Sequence, residues 1–334
     1  MAGRRTHETD SGWVGADPDD DLDARLAAED VAFDLSLPHV MTALGPIDPG
    51  ALGVTHFGER LLERPADPLA GAVVDPFDAA VAELEDLYSA GVRGVVALDR
   101  TSAVGLAPLQ PAHAPGANAV RYDDRTSAVG LAPLQRIAAH SLLHIVLVGE
   151  GRRPEVVPPV GAVRLRGLDE AAALARLGWP AAMPLLIDAA AVINPDAARA
   201  AILRIGGNPG PLTVLDAARL REPVREMLLE AGASLAFNAY GAGHLGESSV
   251  EVVAALARAG RADRVVLGSG ITAAVGLRAH GGAPGWAGLT ERFVLDVMER
   301  GVAAADIRAM LVDNPHRQLT MPGRAPGSGS AERA

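Results

Sequence analysis

The feature that most constrains the fold is a repeated alternation of short apolar runs with segments of helical periodicity. The apolar runs predict strands, and the segments that follow most of them predict crossover helices. Eight strands linked in this way predict an α/β protein with a closed parallel (β/α)8 TIM barrel rather than an open sheet. No Gly-x-Gly-x-x-Gly motif follows a predicted strand, which argues against a dinucleotide-binding sheet. The predicted strands are Gly53–Phe57, Gly94–Leu98, His144–Val148, Ala162–Leu165, Pro184–Ile187, Leu212–Leu215, Ser234–Phe237 and Arg264–Leu267, and the clearest predicted helices are Ala79–Ser89, Pro195–Ile205, Pro223–Ala231, Ser248–Ala259 and Leu289–Arg300.

Both ends of the chain differ in composition from this alternating part. Residues 1–36 are polar and acidic, with five aspartates between positions 17 and 23. Charge repulsion and a shortage of apolar residues predict a disordered tail there. Residues 322–334 are rich in Gly, Ser and Pro, which predicts a second, flexible tail. The barrel domain is therefore expected over residues 37–321, enough for a barrel of about 250 residues with insertions.

Two segments predict irregularities in the barrel wall. The twelve residues Asp99–Gln110 recur identically as Asp124–Gln135, which indicates a tandem duplication. The second copy runs into helical spacing and is expected to supply the helix between the second and third strands, with the first copy as an inserted loop. Only Gly149–Gly161 separates the third strand from the fourth, and its three prolines leave no room for a full crossover helix.

Composition and charge exclude several classes of function. A net charge of −11 and a pI near 5.3 argue against nucleic acid or an anionic membrane as partner. The chain has no cysteine, so it has neither disulfides nor thiolate metal sites. All thirty basic residues are arginine, and lysine is absent. No signal peptide and no apolar run of about 18 residues is found, so a cytoplasmic protein is expected.

Four segments, taken in order, resemble the phosphotriesterase family of the amidohydrolase superfamily. The first resembles that family's opening hairpin and first barrel strand, and the second its second strand with a DxT ending. The third resembles a Gly-Gly-x-Pro-Gly loop, and the fourth a closing Asn-Pro-x-Arg-x-Leu motif. These segments are Val40–Leu62, Gly91–Thr101, His280–Gly288 and Asp313–Leu319. The resemblance implies a TIM barrel and, in the family, metal-dependent hydrolysis.

The resemblance also implies where that family holds two divalent metals, commonly zinc, at the mouth of the barrel. Its ligands are a His-x-His pair on strand 1, a carboxylated lysine on strand 4, a histidine on each of strands 5 and 6, and an aspartate on strand 8. Such ligands suit zinc-like ions that activate a bridging hydroxide. The matching positions here are Gly58, Arg60, Arg164, Asp188, Asp216 and Gly270. Most of these residues cannot ligate a metal, so no metal cofactor is expected.

The altered positions suggest three arrangements of the mouth. In the first, Arg60 and Arg164 neutralise Asp188 and Asp216, because buried charges need partners. Because the three residues end the predicted fourth, fifth and sixth strands, which are consecutive in a barrel, we expect Arg164 to pair with Asp188 or Asp216. In the second, Asp188, Asp216 and Glu59 form an all-oxygen site for Mg²⁺ or Ca²⁺.

The third arrangement is an anion clamp, in which Arg60 and Arg164 bind a carboxylate or phosphate. Further pocket candidates after strand 7 are Asn238, Tyr240 and His244, although the glycines around the last two are also typical of a flexible loop. His56 precedes Gly58 by two residues, so a regular strand would place both on one face, with His56 one layer deeper as a buried barrel histidine.

These features favour a phosphotriesterase-like barrel that has lost metal hydrolysis. Such a pseudoenzyme would act as a small-molecule-binding or partner subunit, with a small anionic ligand and a homodimeric or heteromeric assembly as possible partners. The alternative is a diverged hydrolase of an ester, lactone or phosphoester that acts through a non-standard site. Serine catalysis finds little support, since Ser269 is not in a strand-to-helix Gly-x-Ser-x-Gly motif.

Overall fold

A computed structural model describes most of the predicted barrel domain. The described residues are 33–62, 74–101, 131–150, 160–165, 183–205, 210–240, 248–272 and 274–323. Almost all of the two predicted tails lies outside these ranges, as do most of the first repeat copy, the greater part of the predicted third-to-fourth-strand connection and His244.

Ten strands form a small hairpin and an eight-stranded parallel sheet. The hairpin pairs β1 (Val40–Thr42) with β2 (Gly45–Ile47). The parallel strands are β3 (Thr55–Glu59), β4 (Gly94–Thr101), β5 (His144–Glu150), β6 (Val160–Leu165), β7 (Leu185–Asp188), β8 (Leu212–Leu215), β9 (Ser234–Asn238) and β10 (Val265–Gly268). Each pairs with the next strand along the chain, and β10 lies beside β3. The predicted (β/α)8 barrel is confirmed.

Helices follow the strands and cover the outside of the barrel. They are α1 (Pro76–Ser89), α2 (Leu131–His140), α3 (Pro195–Ile205), α4 (Glu222–Glu230), α5 (Ser249–Arg258), α6 (Val294–Glu299), α7 (Ala304–Arg308) and α8 (Asn314–Leu319). One-turn π-helices, Leu289–Phe293 and Ala309–Asp313, lead into α6 and α8. Among the helices that the structure describes, none is long and apolar enough to cross a membrane.

Local sequence explains where two of these helices begin. The Asp75 side chain accepts a hydrogen bond from the Phe77 amide, and Pro76 occupies the first turn of α1, where an amide hydrogen is not needed. The Ser248 hydroxyl caps α5 in the same way. Helix α2 begins inside the second repeat copy, as predicted.

The alternating side chains of the strands separate the interior of the barrel from the layer under the helices. The interior is filled by one cluster of mostly small aliphatic residues, including Phe57, Val96, Val146, Ala162, Leu186, Leu215, Ala236 and Val266. The intervening residues, such as Val95 and Val163, pack outward against the helices in two further clusters. Between β10 and β3 the backbones come close, since a Cβ on Gly268 would lie 2.4 Å from the Phe57 carbonyl oxygen.

Candidate functional site at the barrel mouth

Polar residues line the mouth at the ends of β6, β7 and β9. Arg164, Asp188 and Asn238 each follow an interior residue by two positions, so strand alternation points all three toward the barrel axis. The interior residues that precede them are Ala162, Leu186 and Ala236, respectively. In TIM barrels this end of the strands carries the functional residues.

An ion pair joins β6 to β7. Both Nε and Nη2 of Arg164 donate to Oδ1 of Asp188, at 3.0 and 2.7 Å. The two side chains are only 15% and 21% exposed, so the pair is partly shielded from water. The expected pairing of Arg164 with one of the two aspartates is confirmed, and Asp188 is the partner.

Asp216 has a different partner from the one expected. Its carboxylate accepts a hydrogen bond from Nδ2 of Asn238 on the next strand. Among the described residues it forms no ion pair, so the expectation that both aspartates pair with arginines is wrong for Asp216. Two causes are visible: β7 stands between β6 and β8, and Asp216 adopts a left-handed backbone with φ 55°.

Two of the mapped ligand positions are glycines that the backbone requires. Gly58 has φ +115°, and a Cβ there would lie 3.1 Å from a methyl carbon of Leu98. Gly270 has φ +70°, and a Cβ there would lie 2.3 Å from Cβ of Asn238. Positive φ favours glycine, and the second distance leaves no room for any side chain. A larger residue would therefore strain the backbone at Gly58 and would also overlap Asn238 at Gly270.

His56 is fully buried, as expected, but the strand register places His56 and Glu59 on the face toward the helices rather than toward the barrel axis. A β-bulge at Gly58 separates the two residues, and they pair in register with Val95 and Ala97, which pack outward. The extra residue of a bulge shifts the alternation, and the sequence analysis assumed a regular strand. A glycine within an apolar strand is the sequence feature that indicates such a bulge. The two residues are not part of the mouth.

Glu59 instead ties the first barrel strand to the last. It is fully buried, and its Oε1 accepts from the Ser269 amide at 2.6 Å while Oε2 accepts from the Ser269 hydroxyl. Nδ1 of His56, also fully buried, lies 3.2 Å from Oε1. The structural role of Ser269 was not predicted, because nothing in the sequence places it beside Glu59.

The described residues bring together neither of the two sets of metal ligands considered for the mouth. Glu59 faces the helices, while Asp188 and Asp216 are each bound to a neighbour, so these three do not form the alternative Mg²⁺ or Ca²⁺ site. Within the described ranges, no group of three or more His, Asp or Glu residues is arranged to hold a metal ion. At the positions mapped for two zinc-like ions there are two glycines, two arginines and two aspartates. Arg60, directly after β3, is half-buried.

Tyr240 is held by the loop that follows β10. Its hydroxyl donates to the Gly288 carbonyl at 2.7 Å, and burial, with the Asp296 carboxylate as a smaller cause, raises the pKa of that hydroxyl. The same loop is anchored by Glu83 of α1, which is fully buried and accepts from the Ala279 and Trp286 amides at 3.0 and 2.9 Å. Sequence analysis singled out this loop but missed Glu83.

Comparisons with known proteins agree with this architecture. The model of the phosphotriesterase family matches residues 213–319, from β8 to α8. A search of curated protein sequences found none that matches this chain.

Solved structures with the same fold include enzymes and a binding protein. A phosphotriesterase from Mycobacterium tuberculosis aligns with TM-score 0.62 and 18% identity over 84% of this chain and 98% of its own. A lactonase from Listeria monocytogenes aligns with TM-score 0.62 and 18% identity over 86% of this chain and 100% of its own. A resiniferatoxin-binding protein from Rhodobacter sphaeroides aligns with TM-score 0.59 and 18% identity over 84% and 94%. At these identities the likeness establishes the fold.

Proposed function

The chain carries a phosphotriesterase-family sequence over residues 213–319 on a phosphotriesterase-like barrel, and on this premise we propose that it binds a small anionic ligand without a binuclear metal centre. In this proposal the chain is a pseudoenzyme with respect to the metal-dependent hydrolysis of its family. Arg164 at the barrel mouth is the residue that binds the anion.

The observation that carries the proposal is the way Arg164 is held. Two N–H groups of its guanidinium converge on one oxygen of Asp188. The other N–H groups have no hydrogen-bond partner among the described residues, and the side chain keeps some exposure to solvent. A guanidinium fixed along one edge and open on another is oriented to bind a carboxylate or phosphate.

The glycine positions support the part of the proposal that excludes a binuclear metal centre. Hydrolysis by a metal-bound hydroxide requires several ligands around each ion. Gly58 and Gly270 offer none, and a ligating side chain would be strained at Gly58 and would overlap Asn238 at Gly270. The resiniferatoxin-binding protein supports a binding role for a barrel of this fold, whereas the enzymes among the similar structures do not transfer their activity, because fold alone does not establish function.

Calorimetric titration with inorganic phosphate and with propionate tests the proposal. The wild-type protein is expected to bind at least one of the two anions, and Arg164→Met to bind it at least tenfold more weakly, about 1.4 kcal/mol. Arg199→Met is the matched control, because Arg199 is an exposed arginine on α3 that also pairs with an aspartate, Asp196.

Two results would overturn the proposal. One is the absence of anion binding, or binding that Arg164→Met leaves unchanged. The other is zinc-dependent hydrolysis of a phosphotriester or a lactone by the wild-type protein, which would establish the diverged hydrolase in its place.

A further inference from the structure

Asp216 is a half-buried carboxylate without a cationic partner among the described residues. Asp188, its neighbour at the mouth, differs in having a cationic partner, because Arg164 donates two hydrogen bonds to the Asp188 carboxylate. Removing a carboxylate from water without a compensating positive charge is costly. The neutral amide of Asn238 supplies one hydrogen bond but no charge.

The surrounding residues hold the Asp216 carboxylate in place. Asn238 donates to it from β9, and Gly270 leaves the space that the Asn238 side chain occupies, since a Cβ there would overlap Asn238. Asp216 directly follows β8 and adopts the left-handed conformation, which non-glycine residues adopt infrequently. Residues on three consecutive strands of the mouth thus determine the position of one uncompensated negative charge.

The mouth therefore presents the Asp216 carboxylate close to the N–H groups of Arg164 that are unbonded among the described residues. The Arg164 guanidinium is bound to β7, which is the strand next to β8 and Asp216. Strands lie about 4.8 Å apart, so the two sites are on the order of 5–10 Å from each other. A short molecule with a carboxylate at one end and an ammonium group at the other matches both.

We propose that the ligand of this barrel is a small zwitterion of amino-acid type, with its ammonium group bound by Asp216 and its carboxylate by Arg164. The inference rests on the proposed function, to which it adds the chemical class of the ligand and the residue that distinguishes a zwitterion from a simple anion.

Three probes of matched length test the assignment: β-alanine, propionate and propylamine. In calorimetric titrations the wild-type protein is expected to bind β-alanine at least tenfold more tightly than propionate, and propylamine weakly. Asp216→Gly removes the carboxylate and suits the positive φ at this position, so this variant is expected to fold. It should bind β-alanine and propionate with equal affinity.

Asp216→Asn and Asp196→Asn complete the set. Asp216→Asn keeps the side-chain shape but removes the charge. This variant, like Asp216→Gly, should no longer bind β-alanine more tightly than propionate. Asp196 lies on the exposed surface of α3, and its substitution should leave the preference intact.

The outcomes of these titrations test the zwitterion inference, the assignment to Asp216 and the proposed anion site separately. Equal binding of β-alanine and propionate by the wild type, with Arg164→Met weakening both, overturns this inference and leaves the proposed anion site standing. A preference for β-alanine that survives in both Asp216 variants overturns the assignment to Asp216. Failure of the wild type to bind either carboxylate overturns the inference, and failure with phosphate as well overturns the proposed function beneath it.

Discussion

The two sides of the barrel mouth differ in the kind of residue that occupies the positions mapped onto the family's metal ligands. On the side of β6 to β9, charged residues occupy the mapped positions, and Arg164, Asp188 and Asp216 each bind a neighbouring side chain. On the side of β10 and β3, Gly58 and Gly270 occupy them, and positive φ angles and close contacts exclude larger residues. The first side is held by contacts between side chains, whereas the second depends on glycine backbone with positive φ. Restoring the family's residues would therefore meet its main obstacle at the glycines.

The largest effect is expected for Gly270→Asp, which restores the family's residue at that position. The new side chain must overlap Asn238 and adopt a positive φ, so the free energy of unfolding should fall by about 3–5 kcal/mol. Gly281→Asp is the matched control, because Gly281 has φ +76° but no atom within 4 Å of an added Cβ. Its loss should be about 1 kcal/mol. Equal losses in urea denaturation would show that backbone conformation alone, without the overlap, sets the cost.

An intermediate effect is expected for Glu59→Gln. The substitution removes the charge that accepts two hydrogen bonds from Ser269 and joins β3 to β10. Hydrogen bonds to a buried charged group are worth more than neutral ones, and the loss should be about 2–3 kcal/mol. Ser269→Ala removes only the hydroxyl and should cost about 1 kcal/mol.

Glu226→Gln provides the surface comparison for Glu59. Glu226 is about two-fifths exposed and lies 3.8 Å from Arg261, and its substitution should change stability by less than about 0.5 kcal/mol. If Glu59→Gln lowered the free energy of unfolding by as little as Glu226→Gln, the contact between Glu59 and Ser269 would not be what joins β3 to β10.

Among Gly270→Asp, Glu59→Gln and Arg164→Met, the smallest effect is expected on the charged side, for Arg164→Met. Because the pair is partly exposed, the loss should be about 1–2 kcal/mol, below the value for a fully buried pair. Adding Asp188→Asn should recover part of it, whereas Asp216→Asn should add independently, since Asp216 binds Asn238. A double-mutant cycle by denaturant unfolding measures both couplings. Coupling of Arg164 to Asp216 rather than to Asp188 would contradict the arrangement of the mouth.

The difference between side-chain contacts and local backbone conformation also explains what the sequence could and could not predict. Apolar runs located every barrel strand to within three residues at each end, and Leu212–Leu215 was predicted with the bounds that the structure has. The Arg164–Asp188 pair followed from chain order, because consecutive strands are neighbours in a barrel. The bulge at Gly58 was missed, and a shift of one residue changes which face each side chain occupies. The left-handed turn at Asp216 was missed as well, since aspartate does not by itself indicate that conformation.

The central proposal is that the mouth is held by its own side chains and does not bind the two metal ions that the resemblance implies. Elemental analysis tests it directly, after the purified protein is loaded with excess zinc or manganese and desalted, with a metal-binding phosphotriesterase treated in parallel. Because metal binding depends on the ligands that the protein supplies, far less than one equivalent should remain bound. Retention of two equivalents of metal per chain would contradict the claim.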